Sequence, residues 1–205
     1  MKAEMPRLIL VRHGETVGNS SIRYYGRTDI ALSDSGRAQM QATRSILAND
    51  MKLSSFTQVF VSPLCRAVEG ARIIAGDSVG LIEIEEFREI DFGAFEGLTA
   101  DEIEERYPTE YVRWMRDRLT TEYAYPGGES RGAFLARVRS GVDRMLSLRR
   151  DGSTLLVAHR GVIRAITQTL AGAEPVIELG SIQILTAHSN RWTIELLDFT
   201  AHLSE

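Results

Sequence analysis

The stretch Leu8-Ile9-Leu10-Val11-Arg12-His13-Gly14-Glu15-Thr16 decides how the chain is read. A short apolar run stops abruptly at Arg12-His13-Gly14, the pattern of a buried strand that ends in a loop. Three further runs have the same character: Gln58-Val59-Phe60-Val61, Leu81-Ile82-Glu83-Ile84 and Thr154-Leu155-Leu156-Val157-Ala158. Two late segments, Ile182 to Thr186 and Arg191 to Leu197, predict a hairpin around Ser189-Asn190.

Helical patterns fill the intervals. Ser33 to Ala48 carries apolar residues at Ala38, Ala42, Ile46 and Leu47. Ser62-Pro63 reads as a cap and first-turn proline opening a helix through Ile74. Thr99-Ala100-Asp101-Glu102 fits a capping box for a helix toward Arg106. After the Pro126-Gly127-Gly128 break, Phe134, Val138, Val142 and Met145 mark a long helix capped near Ser130, and Gly161 to Leu170 makes another. Strands alternating with helices predict an α/β fold, three-layered as α/β/α around a mostly parallel sheet. Residues 1–205 read as a single domain, without repeats or linkers. A polar, aromatic-rich stretch at about 99–125 interrupts the alternation. It reads as a helical cap insertion over the C-terminal edge of the strands, with Tyr107, Tyr111 and Trp114 on one packing face.

Composition narrows the class. An apolar share of 43% and a charged share of 25% are those of an ordinary globular protein. At this length roughly 70% of the unfolded surface can be buried. Net charge is −4, and no basic run is dense enough for a nucleic-acid face. Every basic residue except Lys2 and Lys52 is arginine, whose planar fork suits phosphate and carboxylate. One cysteine, Cys65, leaves no internal disulfide or multi-cysteine zinc site and suits a reducing compartment. No window approaches a membrane span, and the N-terminal apolar run is too short for a signal segment. The expectation is a cytoplasmic protein.

Polar residues follow three of the buried strands: Arg12-His13-Gly14-Glu15, Ser62-Pro63-Leu64-Cys65-Arg66 and His159-Arg160-Gly161. In α/β sheets, ligands collect beyond the carboxyl ends of the strands. The third strand leads into Phe87-Arg88-Glu89-Ile90-Asp91-Phe92-Gly93, adding a carboxylate at the same edge. Two histidines, arginines and a glutamate are what phosphoryl transfer requires. Arginine forks hold the equatorial oxygens. Arg12 and Arg66 would lower the pKa of His13 and keep its lone pair free, and Glu89 could protonate the leaving alkoxide. Cys65 has Ala71, not arginine, six positions on, which removes a tyrosine-phosphatase reading and leaves it a small core residue. No Gly-x-x-x-x-Gly-Lys-Ser/Thr loop is present. His188 and His202 lack metal-ligand spacing and read as structural or surface residues.

The chain resembles the histidine phosphatase superfamily, in its phosphoglycerate mutase-like branch. The resemblance rests on Leu8 to Thr16 with Asn19, then Tyr25-Gly26-Arg27-Thr28-Asp29, Leu32-Ser33 and Gly36, and Ser62-Pro63-Leu64 with Arg66-Ala67. It continues through Phe87 to Gly93 with Glu96-Gly97, then Pro126-Gly127-Gly128-Glu129-Ser130 and Val157-Ala158-His159. It implies His13 as nucleophile, Arg12 and Arg66 gripping the phosphoryl group, His159 donating to its oxygens and Glu89 as proton donor. It also implies Asn19 and Arg27 at the pocket rim, Ser62 near the phosphate, and no metal or organic cofactor. Asn19, Arg27 and Ser62 have an alternative reading as turn or cap residues.

The expected activity is hydrolysis of a small phosphorylated metabolite through a phosphohistidine on His13. Sugar phosphates, phosphoglycerates, phosphoserine and nucleotide-like monoesters are all candidates. The pattern resembles α-ribazole phosphatases and broad-specificity members. The alternatives are a cofactor-dependent phosphoglycerate mutase and a non-catalytic phospholigand-binding protein. Mutases of the family carry a Tyr-x-x-Arg-Arg stretch and lysines in the insertion, whereas this insertion offers Arg113, Arg116 and Arg118 but neither that stretch nor any lysine. One departure stands out. Arg160 follows the second histidine where the family has a small residue, and it either adds charge at the pocket or pairs with a surface carboxylate. Oligomeric state stays open, dimers being common in the superfamily.

Overall fold

Strand β1 (Arg7–Arg12) forms the middle of a six-stranded sheet in a computed structural model that describes residues 6–49, 51–53, 55–188 and 191–199. The other strands are β2 (Gln58–Val61), β3 (Leu81–Glu83), β4 (Ser153–Ala158), β5 (Ile182–His188) and β6 (Arg191–Phe199). Their order is β3-β2-β4-β1-β5-β6. The first four run parallel, and β5 and β6 turn antiparallel. The late hairpin forms as expected, pairing His188 with Arg191. Its Ser189-Asn190 tip, like His202 and Lys2, lies outside the described residues.

Alternation along the strands divides the core. Leu8, Leu10, Phe60, Leu156 and Ala158 face α5 (Arg131–Leu148) and α6 (Arg160–Ala171), which contribute Phe134, Val138, Val142, Met145, Val162 and Ile166. Ile9, Val11, Val59, Val61, Leu155 and Val157 face α1 (Asp34–Asn49) and α2 (Cys65–Ala75). The result is the expected three-layer α/β/α arrangement. Helices α3 (Ala100–Arg106) and α4 (Pro108–Asp117) stand apart around Phe95, Ile103, Trp114 and Tyr123. The capping box forms between Thr99 and Glu102, and Ser130 Oγ caps α5 by accepting from Ala133 N at 3.1 Å. No helix among the described residues is long and apolar enough to cross a membrane.

Three local expectations change. The buried stripe of α1 is Gly36, Met40, Thr43 and Leu47, with Ala38 exposed. A Cβ at Gly36 would lie 1.9 Å from Glu15 O, and this close approach sets which face turns inward. Ser62 does not cap α2, which starts at Cys65 without a side-chain bond from its own N-cap Leu64. Its first N–H instead donates to Asp29 Oδ1 at 2.8 Å, a cap supplied by a distant loop. Cys65 is half-buried beside that loop rather than in the core, its thiol pushed up to about 11 by burial and by Asp29.

Candidate active site

Sheet register brings the polar ends together. Val11 of β1 and Val61 of β2 both pair with Val157 of β4, so His13, Ser62 and His159 leave the sheet side by side. Backbone bonds continue the alignment past the strands: His13 N donates to Ala158 O at 3.0 Å and Ser62 N to Val157 O at 3.1 Å. The imidazoles of His13 and His159 meet edge to face, 5.1 Å between centroids, and both are buried.

The protonation of His13 follows from its partners. Its Nδ1 lies 2.7 Å from Gly14 O, and a carbonyl only accepts, so Nδ1 carries the hydrogen and Nε2 keeps its lone pair. Nε2 accepts from Arg66 Nε at 3.3 Å. Burial first, then the charges of Arg66 and Arg12, hold His13 well below the ordinary imidazole pKa. Burial, Arg66 and His13 do the same to His159, whose Nε2 lies 2.7 Å from Ser62 Oγ. Both rings are therefore neutral at pH 7.

The two guanidinium groups are held differently. Arg66 is fully buried and donates to Thr28 O and Gly26 O at 2.8 Å each and to Tyr25 O at 3.3 Å. Arg12 donates through Nη1 to Ile177 O at 3.0 Å, while its buried Nε has no hydrogen-bond partner among the described residues. Burial first, then the nearby charge of Arg160, lowers Arg12 to about 10. The Glu89 carboxyl, 8% exposed, accepts from Ile90 N at 3.0 Å and from Gly161 N at 2.9 Å. A Cβ at Gly161 would fall 2.4 Å from Glu89 Oε1, so only glycine lets this carboxyl sit against the start of α6. Its charge acts on both Arg12 and Arg66.

His13, Arg12, Arg66, His159, Ser62 and Glu89 are thus brought together. Asn19 and Arg27 are not part of this buried cluster. Asn19 is exposed with φ 61°, and its backbone fixes a turn by bonds to Thr16, Ile22 and Arg23. Arg27 is exposed and ion-paired with Asp91 at 3.2 Å. Arg160 is exposed and makes no ion pair or hydrogen bond among the described residues. Its charge reaches Arg12 and also Tyr24, which packs edge to face on Trp114.

Three residues received no role from the sequence. Asp29 caps α2 beside Arg66. Glu96 accepts from the backbone N–H groups of Gly26, Arg27, Thr28 and Phe92. Arg137 bonds the backbone around Glu89. Position in the Gly26-to-Asp29 and Glu96-Gly97 motifs was the only signal for the first two, and Arg137 reads as an ordinary helical residue.

Comparison with known proteins places the chain among phosphatases and phosphoglycerate mutase-like proteins. Phosphoserine phosphatase 1 of Hydrogenobacter thermophilus is 28% identical over 208 residues, covering 98% of this chain and 96% of that protein. The 2,3-bisphosphoglycerate-dependent phosphoglycerate mutase 2 of Gloeobacter violaceus is 33% identical over 177 residues, covering 83% and 78%. The crystal structure of the α-ribazole phosphatase from Shigella flexneri superposes with a TM-score of 0.83 at 27% identity, covering 94% of this chain and 96% of that one. The chain spans about half the length of several mycobacterial relatives, 50% of each at 33% identity. The model of the histidine phosphatase superfamily (branch 1) matches residues 8–200, and with the paired histidines at its sheet edge the chain belongs to that superfamily.

Proposed function

We propose that the protein is a metal-independent phosphomonoesterase that works through a phosphohistidine on His13. One observation carries the reading: a neutral imidazole whose Nε2 is unprotonated and meets only the Arg66 guanidinium, with Arg12 and a second neutral histidine beside it. In this reading Nε2 attacks phosphorus in line with the ester oxygen. Arg12, Arg66 and His159 hold the equatorial oxygens, where charge is greatest in the transition state. The P–O bond breaks, and the departing alkoxide takes its proton from Glu89. Glu89 then removes a proton from water, which attacks phosphorus and returns free imidazole and phosphate.

A mutase must grip the rest of a phosphoglycerate, and the insertion is poorly disposed to do so. Arg116 is committed to Asp117 at 2.7 Å, Arg118 lies on the Trp114 ring at 5.3 Å, and Arg113 faces the Tyr123 ring. Hydrolysis is favoured accordingly. An α-ribazole phosphate joins phosphoserine on the substrate panel, since relatives are named for both. Arg160, exposed and unpaired one residue past His159, favours a substrate bearing a second anionic group. Arg160→Gly should weaken turnover of dianionic-tailed esters more than of uncharged-tailed ones; an equal effect on both removes this role.

The test is phosphate release from p-nitrophenyl phosphate and metabolite esters, with EDTA present, by wild type and His13→Ala. Turnover that disappears in the variant supports histidine catalysis without metal. Interconversion of 3-phosphoglycerate on adding bisphosphoglycerate, with no hydrolysis, would establish the mutase instead. Silence in both assays would leave a binding protein.

A further inference from the structure

Glu89 stands on a segment with little regular structure, between the 3₁₀ turns Glu85–Phe87 and Gly93–Phe95. On one side this segment borders a cavity of about 820 Å³, lined by Glu86, Arg88, Glu89, Asp91, Glu129 and Arg137 among others. Phe87 and Ile90 anchor the segment in the core on either side, but towards the cavity the main chain from Glu86 to Glu89 is held by hydrogen bonds. A proton donor must be held closely, since an error of about 1 Å can cost on the order of 10²-fold in rate.

The Arg137 guanidinium does the fixing. It has five N–H donors in a planar fork, and all are used. Nη1 donates to Glu86 O at 2.8 Å and Arg88 O at 2.7 Å, and Nη2 donates to Glu89 O at 3.0 Å. Nε and the other Nη2 hydrogen go to the two Glu129 oxygens, each at 2.8 Å. Glu129 is itself tied to the segment, its N–H donating to Asp91 O at 3.0 Å. The guanidinium also stacks 4.9 Å over the Phe134 ring, one turn earlier on α5. That ring reaches to 3.2 Å from where a Cβ on Gly161 would stand, beside the N–H that holds the Glu89 carboxyl.

We infer that Arg137, set by Glu129, is the positioning residue for the proton donor: it fixes the Glu89 main chain so that the carboxyl reaches the ester oxygen. The inference rests on Glu89 being that donor. Lysine cannot replace Arg137, because one ammonium cannot reach three carbonyls and a carboxylate in the geometry of the fork.

The readout is the leaving-group dependence of kcat/KM, which reports steps up to loss of the alcohol. Wild type, Glu89→Gln, Arg137→Lys, Glu129→Gln and the Glu89→Gln/Arg137→Lys double variant are compared on p-nitrophenyl phosphate and a simple alkyl phosphate. Arg137→Lys should lose on the order of 10²-fold on the alkyl ester and far less on the aryl ester. Glu129→Gln, which keeps the arginine, should shift the same way by a smaller factor. The double variant should lose no more than Glu89→Gln alone, and inhibition by orthovanadate should be unchanged in Arg137→Lys. If Glu89→Gln discriminates between the esters but the Arg137 and Glu129 variants lose equally on both, or weaken vanadate, the positioning role is overturned and Glu89 stands. If Glu89→Gln itself does not discriminate, the donor assignment fails and this inference falls with it.

Discussion

Glu96 tests how far the phosphate grip proposed for Arg66 depends on groups that would never touch the phosphate. Its Oε1 accepts from Arg27 N and Phe92 N at 3.0 Å, its Oε2 from Thr28 Oγ1 at 2.6 Å and Thr28 N at 3.2 Å, and Gly26 N lies 3.2 Å from both oxygens. The loop so gathered turns the carbonyls of Tyr25, Gly26 and Thr28 onto Arg66, and Arg66 lies against His13. In Glu96→Ala, water can replace the carboxylate at the exposed Arg27 and Thr28. It reaches the buried Gly26 N and half-buried Phe92 N poorly. Two stranded donors at about 1–3 kcal/mol each predict a stability loss of roughly 2–6 kcal/mol. Once the loop relaxes, Arg66 loses its orientation, and the inhibition constant for inorganic phosphate should rise at least about tenfold, equivalent to ~1.4 kcal/mol. Urea unfolding and phosphate inhibition of p-nitrophenyl phosphate turnover measure the two effects. A stability loss under about 1 kcal/mol with unchanged phosphate affinity would refute the chain of support from Glu96 to Arg66.

Three further outcomes follow from the same geometry. Asp29→Ala removes the cap on α2 and should cost about 0.5–2 kcal/mol in urea unfolding, with Asp29→Ser recovering part of it. Gly161→Ala places a methyl 2.4 Å from Glu89 Oε1 and should lower kcat/KM for alkyl esters while leaving vanadate inhibition in place. His13 and His159 are both held well below the ordinary imidazole value of about 6.5, so at lower pH the unfolded chain takes up protons that the native chain refuses. Stability is therefore lost as pH falls from about 6.5 toward the folded values, at up to about 2.7 kcal/mol per pH unit for the two groups. Urea midpoints at pH 5 and 7 read this slope, and His159→Gln should halve it.

The sequence made the sheet edge legible because two simple signals coincide there. Buried parallel strands show as short apolar runs, and the polar residues that end them must meet in space once the strands align. His13, His159, Arg12 and Arg66 could therefore be named from residue order, and Glu89 from the segment after the third strand. The supporting groups were not legible in that way. Asp29 caps a helix that begins 36 residues later, so no local cap pattern reports it. Arg137 is half-buried and lies on α5 among other arginines, and only the folded segment shows why it differs from them. Ser62 misled for a physical reason: serine before proline is a common cap pattern, but its hydroxyl has a stronger claim on it in His159 Nε2 at 2.7 Å.

The fold resolves a conflict that the chemistry creates. A histidine nucleophile must stay neutral, yet it must sit among cations able to hold a phosphate dianion. Exposed to water, the same arginines would be screened and would act weakly on His13. Burial makes both effects strong at once: it disfavours imidazolium directly and lets Arg66 and Arg12 act on the ring at short range. The guanidinium groups feel the same environment, which explains why Arg12 is lowered to about 10 and why Arg66 needs three carbonyls around it. In the proposed function an incoming phosphate would reverse that balance, because its charge favours Arg12 and Arg66 and its oxygens can accept from Arg12 Nε, which has no partner among the described residues. Under the proposed mechanism, discomfort among the buried cations becomes affinity for the dianion, and the neutral His13 Nε2 exchanges its contact with Arg66 for phosphorus.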